Sequence, residues 1–163
     1  MPTCTFTGHR SSKLPWGYNE EDPRCRELKQ RIYDTAEAVF SAGFHDFICG
    51  MAEGCDLYFC EAVMALREEH PEIRIEAAIP FAGQADRWPA AQRSRYDRLL
   101  SECDRQILLQ ADYTPGCMMK RNRYMVDHAD LIIACYDGRT GGTLNTLRYA
   151  LEKDVRILHL PIE

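Results

Sequence analysis

Short apolar runs alternate with amphipathic segments from one end of this chain to the other, and this order limits the folds open to it. Six runs have the length and composition of β-strands: Thr3–Phe6, Asp46–Cys49, Ile73–Ile79, Gln106–Leu109, Leu131–Tyr136 and Val155–Leu160. Most of them are apolar throughout, which is typical of strands buried on both faces. We therefore predict one α/β domain over residues 1–163, with a doubly wound, mostly parallel sheet of about six strands and helices on both faces.

The segments between these runs carry helix signals. Asp22 and Pro23 are a preferred N-cap and first-turn pair, and Gly43 is typical of the residue just after a helix. A second helix is predicted from about Cys55 to Glu69. Apolar stripes mark three more helices: Tyr96, Leu99, Leu100 and Cys103; Met118, Asn122, Met125 and Val126; and Leu144, Leu147 and Leu151.

Composition and charge narrow the class of protein. With 163 residues the chain can bury one sizeable core, and it has no apolar run near the roughly 20 residues that a membrane span needs. Its first residues lack the charged and apolar regions of a signal peptide, and its eight cysteines form no C-x-x-C pair. These features predict a cytoplasmic protein with reduced thiols. The net charge of -5 disfavours generic nucleic-acid binding, which depends on a basic surface.

Three polar segments that contain glycine follow predicted strands: Thr7–Arg10, Gly50–Asp56 and Tyr136–Thr143. Glycine allows close backbone approach and a helix N-terminus offers free N–H groups, so such segments cradle anions, most often phosphate. One alone is an ordinary strand–helix turn, but three at the carboxyl edge of one sheet favour a ligand site. The predicted ligand contacts within them are Thr7, Gly8, His9, Arg10, Gly50, Met51, Ala52, Gly54, Asp56, Tyr136, Asp137, Gly138, Gly141, Gly142 and Thr143.

Motifs for the commonest nucleotide sites are missing. The chain contains neither G-x-G-x-x-G nor G-x-x-x-x-G-K-[ST], so neither a dinucleotide fingerprint nor a P-loop is present. Three long connections also follow strands, namely Ser11–Asp22, Phe81–Pro89 and Gln110–Gly116. Long loops at this edge are typical of binding loops.

A basic segment, Lys120–Arg123, begins the fourth predicted helix. Such a run at a helix start is commonly solvated surface, but arginine is also the side chain that binds phosphate in a bidentate manner. Arg121 is therefore predicted to clamp a phosphate. Asn122 shares the apolar side of the helix with Met118 and Met125, so its amide is predicted to point inward. It would be either a hydrogen-bonding residue of the core or a ligand contact.

Several segments of the chain resemble known families locally. Met118–Met125, Ala129–Ile133 and Gly141–Thr143 resemble the LOG family of cytokinin-activating phosphoribohydrolases. Arg121–Arg123 and Gly50–Asp56 are similar to motifs of DprA, the single-strand DNA-binding protein of transformation.

A third resemblance extends over essentially the whole chain. Thr5–Arg10 and Tyr136–Gly138 most resemble the YpsA/YoqJ-like family of bacterial and prophage proteins. All three groups belong to the SLOG superfamily, whose fold is Rossmann-like. The resemblance implies a nucleotide or nucleotide-derived ligand at the carboxyl edge of the sheet.

The similarity to LOG ends at its catalytic residue. LOG has a Glu three residues after the Thr of its glycine motif, and this chain has Thr146 there. The Lys that follows the Arg in the LOG motif is replaced by Asn122 in this chain, so that cation is missing. No catalytic residue is therefore predicted, although Asp56, Asp137 and Glu53 stay open as bases. The histidines have no metal-ligand spacing, so neither a metal nor a cofactor is predicted.

The sequence thus predicts a protein that binds a nucleotide-derived small molecule and acts as a sensor or regulator. One alternative is a LOG-like phosphoribohydrolase, which cleaves N-glycosidic bonds, and the other is DprA-like binding of single-stranded DNA. We expect neither a membrane nor a nucleic acid among the partners. A protein partner in a regulatory role and self-association stay open.

Overall fold

Strands and helices alternate along the computed structural model, which describes residues 2–139 and 141–162. The strands are β1 (Thr3–Gly8), β2 (Asp46–Cys49), β3 (Arg74–Ile79), β4 (Arg105–Leu108), β5 (Leu131–Tyr136) and β6 (Arg156–Pro161). The helices are α1 (Pro23–Ser41), α2 (Cys55–Glu69), α3 (Ala90–Glu102), α4 (Cys117–Asp127) and α5 (Gly142–Glu152). A short 3-10 helix, Ser11–Lys13, follows β1.

All six strands form one parallel sheet with the order β4-β3-β2-β1-β5-β6. The chain builds outward from β1 to β4 and then crosses back to place β5 on the other side of β1. Because such crossovers are right-handed, the reversal puts α1, α2 and α3 on one face and α4 and α5 on the other. The predicted doubly wound α/β fold is confirmed. Its topological switch point, where ligands bind in open α/β sheets, lies between β1 and β5.

The larger core lies under α1 and α2. Phe6 of β1 stacks on Phe59 of α2 with ring centroids 4.6 Å apart, and Phe47 of β2 joins them. A smaller core on the opposite face contains Ile132, Ala134 and Leu147. Each large apolar side chain buried in this way contributes about 1.5–3 kcal/mol to folding. The two cores pack against opposite faces of β1 and β5, and this packing fixes the positions of the two strands that form the switch point.

The two edge strands are exceptions to the burial on both faces that was predicted for most strands. β4 and β6 are largely exposed, and Leu108 of β4 keeps 54% of its surface accessible. Each has a neighbour on one side only, so its side chains lie at the margin of the helical layers. β1 is also longer than predicted, because Thr7 and Gly8 continue the pairing with β5.

The structure confirms the predicted cap of α1 and the predicted bounds of α2. In α4 and α5 the buried positions differ from the prediction. Asp22 caps α1 by accepting a hydrogen bond from the Arg24 N–H at 2.9 Å, and α2 has the predicted bounds. In α5 the predicted stripe is wrong at Leu151, which is 66% exposed. Thr146 is buried in its place, since its hydroxyl donates to the Gly142 carbonyl at 2.8 Å and needs no other partner.

The inward residue at the start of α4 also differs from the prediction. Arg121 is buried there, whereas Asn122 is half-buried at the side of the helix. Arg121 can occupy this place because its guanidinium finds acceptors in other parts of the chain, described below. The eight cysteines are free thiols, seven of them buried, and Cys103 is half-buried. Within the described part of the chain, no helix is both long and apolar enough to cross a membrane.

Candidate functional site

The three glycine-bearing segments meet at the carboxyl edge of the sheet, between β1 and β5. They surround a cavity of about 280 Å³, which we call the carboxyl-edge cleft. Ten predicted contacts line it: Thr7, Gly8, His9, Arg10, Ala52, Asp56, Arg121, Asn122, Gly142 and Thr143. Seven stand outside its lining: Gly50, Met51, Gly54, Tyr136, Asp137, Gly138 and Gly141. Three further residues line it without having been predicted: Lys13, Met118 and Met125.

The end of β1 is joined to the turn after β5. The His9 N–H donates to the Cys135 carbonyl at 3.2 Å, and His9 Nε2 donates to Asp137 Oδ1 at 2.9 Å. Arg139 Nε donates to the second oxygen of the same carboxylate at 2.7 Å. The hydrogen bond from His9, with help from Arg139, lowers the pKa of Asp137 to about 2. Asp137 is thus ionised and occupied by protein donors, and it positions His9 at the cleft wall.

The second segment is held against the first by backbone contacts. Gly54 has a φ of 99°, and a Cβ there would lie 2.7 Å from the Ser11 nitrogen and 2.8 Å from the His9 oxygen. This position therefore requires glycine for both its backbone angle and its close approach. The Cys55 N–H donates to the His9 carbonyl at 3.1 Å, and the Ser11 N–H donates to Glu53 Oε1 at 3.0 Å. These contacts fix the start of α2 beside the cleft.

Asp56 is a buried carboxyl group on the floor of the cleft. It is 7% exposed, and its Oδ2 accepts a hydrogen bond from the Ala52 N–H at 3.2 Å. Burial raises the pKa of Asp56 to about 6, although the nearby guanidinium of Arg121 acts in the opposite direction. Asp56 is therefore a group in the cleft whose charge changes just below neutral pH.

Arg121 is a buried cation that faces Asp56 across Gly50. It is 3% exposed, its Nη1 donates to the Gly50 carbonyl and to Gln84 Oε1, and its Nε donates to Asn122 Oδ1 at 2.8 Å. A Cβ added to Gly50 would lie 3.0 Å from Asp56 Oδ2 and 3.2 Å from Arg121 Cζ, so the two groups flank this glycine. Burial lowers the pKa of Arg121, and the charge of Asp56 opposes that shift.

The N-terminus of α5 forms the opposite wall. Gly141, at a φ of 148°, precedes the helix, and no side chain of residues 2–139 or 141–162 caps its first turn. Among these residues, the N–H groups of that turn have no side-chain partner. The Lys13 ammonium lies against Gly141, and no atom of the described residues lies within 4 Å of the position that a Gly142 Cβ would take. A helix N-terminus with a nearby ammonium attracts anions. Thr140, which belongs to the predicted third segment, lies outside the described residues.

Cys55 has none of the features of an activated thiol. A helix N-terminus can lower the pKa of a cysteine, but here a hydrogen bond with Cys135 and burial raise the pKa of Cys55. Trp88, in the loop after β3, packs edge-on against Tyr96 with centroids 5.2 Å apart. Among residues 2–139 and 141–162, no group of three or more His, Cys, Asp or Glu side chains is placed to hold a metal ion.

Larger cavities lie elsewhere on the surface. One of about 580 Å³ lies beside β4, and another of about 660 Å³ lies near the amino ends of β2 and β3. Polar side chains that line the second cavity are already paired with one another. Glu76, for example, accepts a hydrogen bond from Tyr124 and forms a salt bridge with Arg105. Neither is lined by the first turn of a helix next to a glycine turn. Of these three cavities, the carboxyl-edge cleft is therefore the best candidate site.

The sheet order and the polar cleft at its switch point define a Rossmann-like α/β protein with a candidate anion site. The chain belongs to the YpsA family, described as the YspA SLOG family, whose family model matches residues 4–158. It is 34% identical over 143 residues to the SPbeta prophage-derived protein YoqJ of Bacillus subtilis, which covers 80% of this chain and 84% of that protein. It is 23% identical over 155 residues to the UPF0398 protein YpsA of the same organism, with 94% and 86% covered.

Solved structures show the same fold at low identity. DNA processing protein A from Helicobacter pylori, described for its single-stranded DNA binding mode, superposes with a TM-score of 0.64 at 16% identity. The match covers 99% of this chain and 66% of that protein, so the chain spans just under two thirds of it. The molybdenum cofactor binding protein from Rippkaea orientalis superposes with a TM-score of 0.60 at 15% identity, with 99% and 77% covered. These likenesses establish the fold.

Proposed function

We propose that this protein binds the phosphate of a nucleotide-derived small molecule in the carboxyl-edge cleft and acts as a sensor or regulatory protein. The observation that carries the proposal is the state of Arg121. Among the described residues its Nη2 has no hydrogen-bond partner, although the side chain is 3% exposed and lines the cleft. The one fully buried side-chain oxygen or nitrogen without a partner among the described residues is Glu53 Oε2, so Arg121 Nη2 is not sealed inside the protein. Its N–H groups are therefore available to a ligand oxygen in the cleft.

The charges around the cleft support an anionic ligand. Arg10, Lys13 and Arg121 line it, and Asp56 is the acidic residue among its lining side chains. Asp137 stands behind the wall, where it is paired with Arg139 and hydrogen-bonded to His9. The N-terminus of α5 adds a partial positive charge at the same place. The excess of positive charge suits a phosphate group.

The part of the proposal that the protein binds its ligand without cleaving it rests on Thr146. This residue occupies the place of the LOG glutamate, and its hydroxyl donates to the Gly142 carbonyl within its own helix. A threonine so engaged supplies no carboxylate for acid–base chemistry. Release of free base from nucleoside monophosphates at an enzymatic rate would contradict this part of the proposal.

A small molecule is favoured over single-stranded DNA by the size of the cleft and the direction of the basic residues. The cavity of about 280 Å³ suits one nucleotide or less, whereas a strand-binding groove follows several phosphates. Arg123 points away from the cleft, where its guanidinium lies 5.2 Å from the centre of the Tyr149 ring. Because the Helicobacter neighbour is described for its single-stranded DNA binding mode, the experiment below also tests this alternative.

A thermal-shift panel of nucleotides tests the proposal, with a labelled single-stranded oligonucleotide as a separate arm. A ligand at about 100 times its Kd stabilises the folded state by about 2.7 kcal/mol, which raises the Tm by about 5–11 °C for a chain of this size. We expect such a shift with at least one nucleotide. A panel that includes cyclic and ADP-ribose types and never moves the Tm would contradict the proposal. Micromolar binding of the oligonucleotide that weakens steeply with salt would support the DNA alternative.

A further inference from the structure

Asp56 presents an unused acceptor to the carboxyl-edge cleft. Its Oδ2 accepts from the Ala52 N–H, and its Oδ1 has no hydrogen-bond partner in the described part of the chain. The one fully buried side-chain oxygen or nitrogen without a partner in that part is Glu53 Oε2, so Asp56 Oδ1 is not sealed inside the protein. Because Asp56 lines the cleft and is 7% exposed, this oxygen is open to the cleft.

The cleft therefore holds an unpartnered donor and an unpartnered acceptor on either side of Gly50. Arg121 Nη2 is the donor and Asp56 Oδ1 is the acceptor. A phosphate oxygen suits the first and is repelled by the second, since both carry negative charge. Asp56 instead requires a ligand group that donates a hydrogen bond, at a short distance from the phosphate.

We infer that the carboxyl-edge cleft recognises a pentose phosphate whose sugar carries a free vicinal diol, and that Asp56 accepts hydrogen bonds from those hydroxyls. The inference rests on the proposed function and names the class of ligand within it. A ribose diol lies a few bonds from the 5-phosphate, which fits a cavity of about 280 Å³. Asp56 then determines specificity for ribose over deoxyribose.

The size of the discrimination follows from the burial of Asp56. A sugar that lacks one hydroxyl still displaces water from the cleft, and it leaves the carboxylate with fewer donors than it had in solvent. Loss of a hydrogen bond to a charged group corresponds to binding that is about 10- to 100-fold weaker.

Titration calorimetry of the full chain with ribose 5-phosphate, 2-deoxyribose 5-phosphate and inorganic phosphate tests the inference. We expect ribose 5-phosphate to bind about 10- to 100-fold more tightly than its 2-deoxy form. In Asp56→Asn the two sugar phosphates should differ by less than about threefold, because the charged acceptor is gone. Asp34→Asn, an exposed change on α1, is the control and should keep the wild-type ratio.

Each outcome has a definite meaning. Equal binding of the two sugar phosphates to the wild-type protein overturns the diol inference and leaves the phosphate site standing. Binding of inorganic phosphate without either sugar phosphate has the same meaning. If none of the three binds, the diol inference is overturned, and the thermal-shift panel of nucleotides alone decides the proposed function. The wild-type comparison decides the inference even if Asp56→Asn does not fold.

Discussion

His9 Nε2 and Asp137 Oδ1 lie 2.9 Å apart and join the end of β1 to the turn after β5. The two residues are 128 positions apart in the sequence, and their contact crosses the topological switch point of the sheet. It orients the His9 ring at the wall of the carboxyl-edge cleft. The contact also lowers the pKa of Asp137, so its contribution to the stability of the fold depends on pH.

Asp137→Asn should make the protein less sensitive to acid. Because the folded state holds the pKa of Asp137 at about 2, below its ordinary value, the carboxylate contributes stability above pH 4 that is lost as the pH falls toward 2. Solvent screens this partly exposed pair, so we expect about 1 kcal/mol. Urea unfolding at pH 5 and pH 2.5 should show a larger loss for the wild-type protein than for the variant. An equal loss in both would contradict the assignment.

Asp56→Asn should reveal a pH dependence of the opposite sign. The folded state raises the pKa of Asp56 to about 6, so the ionised carboxylate is disfavoured there, and stability falls as the pH rises from about 4 to about 6. Arg121, Arg10 and Glu53 are the charged groups that act on it. The free energy of unfolding of the wild-type protein minus that of Asp56→Asn should fall on the order of 1–3 kcal/mol across this window. A flat difference would show that Asp56 is not desolvated.

The fold could be predicted from the sequence because its signals are local. Apolar runs, the Asp22–Pro23 cap and the glycine turns each lie within one element, and parallel pairing follows from their order. The site segments could be located for the same reason, since the carboxyl ends of parallel strands share one edge.

The details of the site depend on contacts between distant parts of the chain. Arg121 is buried because the Gly50 carbonyl and Gln84 accept from it, 71 and 37 positions away. The apolar stripe of α4 carries no such information, so it indicated Asn122 instead. Lys13 had no periodic signal, and only the path of the loop after β1 places its ammonium against Gly141.

Arg121→Ala should weaken the binding of a phosphorylated ligand by about 1.5–3 kcal/mol, the range for a hydrogen bond to a charged group. It should also destabilise the fold, because it leaves Gln84 and the Gly50 carbonyl without a donor. Arg123→Ala is the control, since its guanidinium lies over Tyr149 outside the cleft. Calorimetry well below both Tm values separates affinity from stability. Equal losses of affinity in the two variants would contradict the role of Arg121.

Gly142→Asp should abolish anion binding without unfolding the protein. The new side chain enters open space, and an acidic residue in the first turn of α5 favours the helix. The same charge repels a phosphate at the helix N-terminus. Gly142→Ala adds a Cβ without charge and should keep binding close to wild type. Thermal shifts with the best nucleotide of the panel would record the contrast, and a retained shift in Gly142→Asp would contradict the location of the site.

Backbone amide NMR of the ¹⁵N-labelled chain, titrated with that nucleotide, tests the central claim most directly. If the phosphate binds in the carboxyl-edge cleft, the largest chemical-shift changes fall on Gly142 and Thr143 at the start of α5, with further changes at Arg121 and Asp56. Changes that are largest on the outer side of α4, around Arg123 and Tyr149, with Gly142 and Thr143 unaffected, would contradict it.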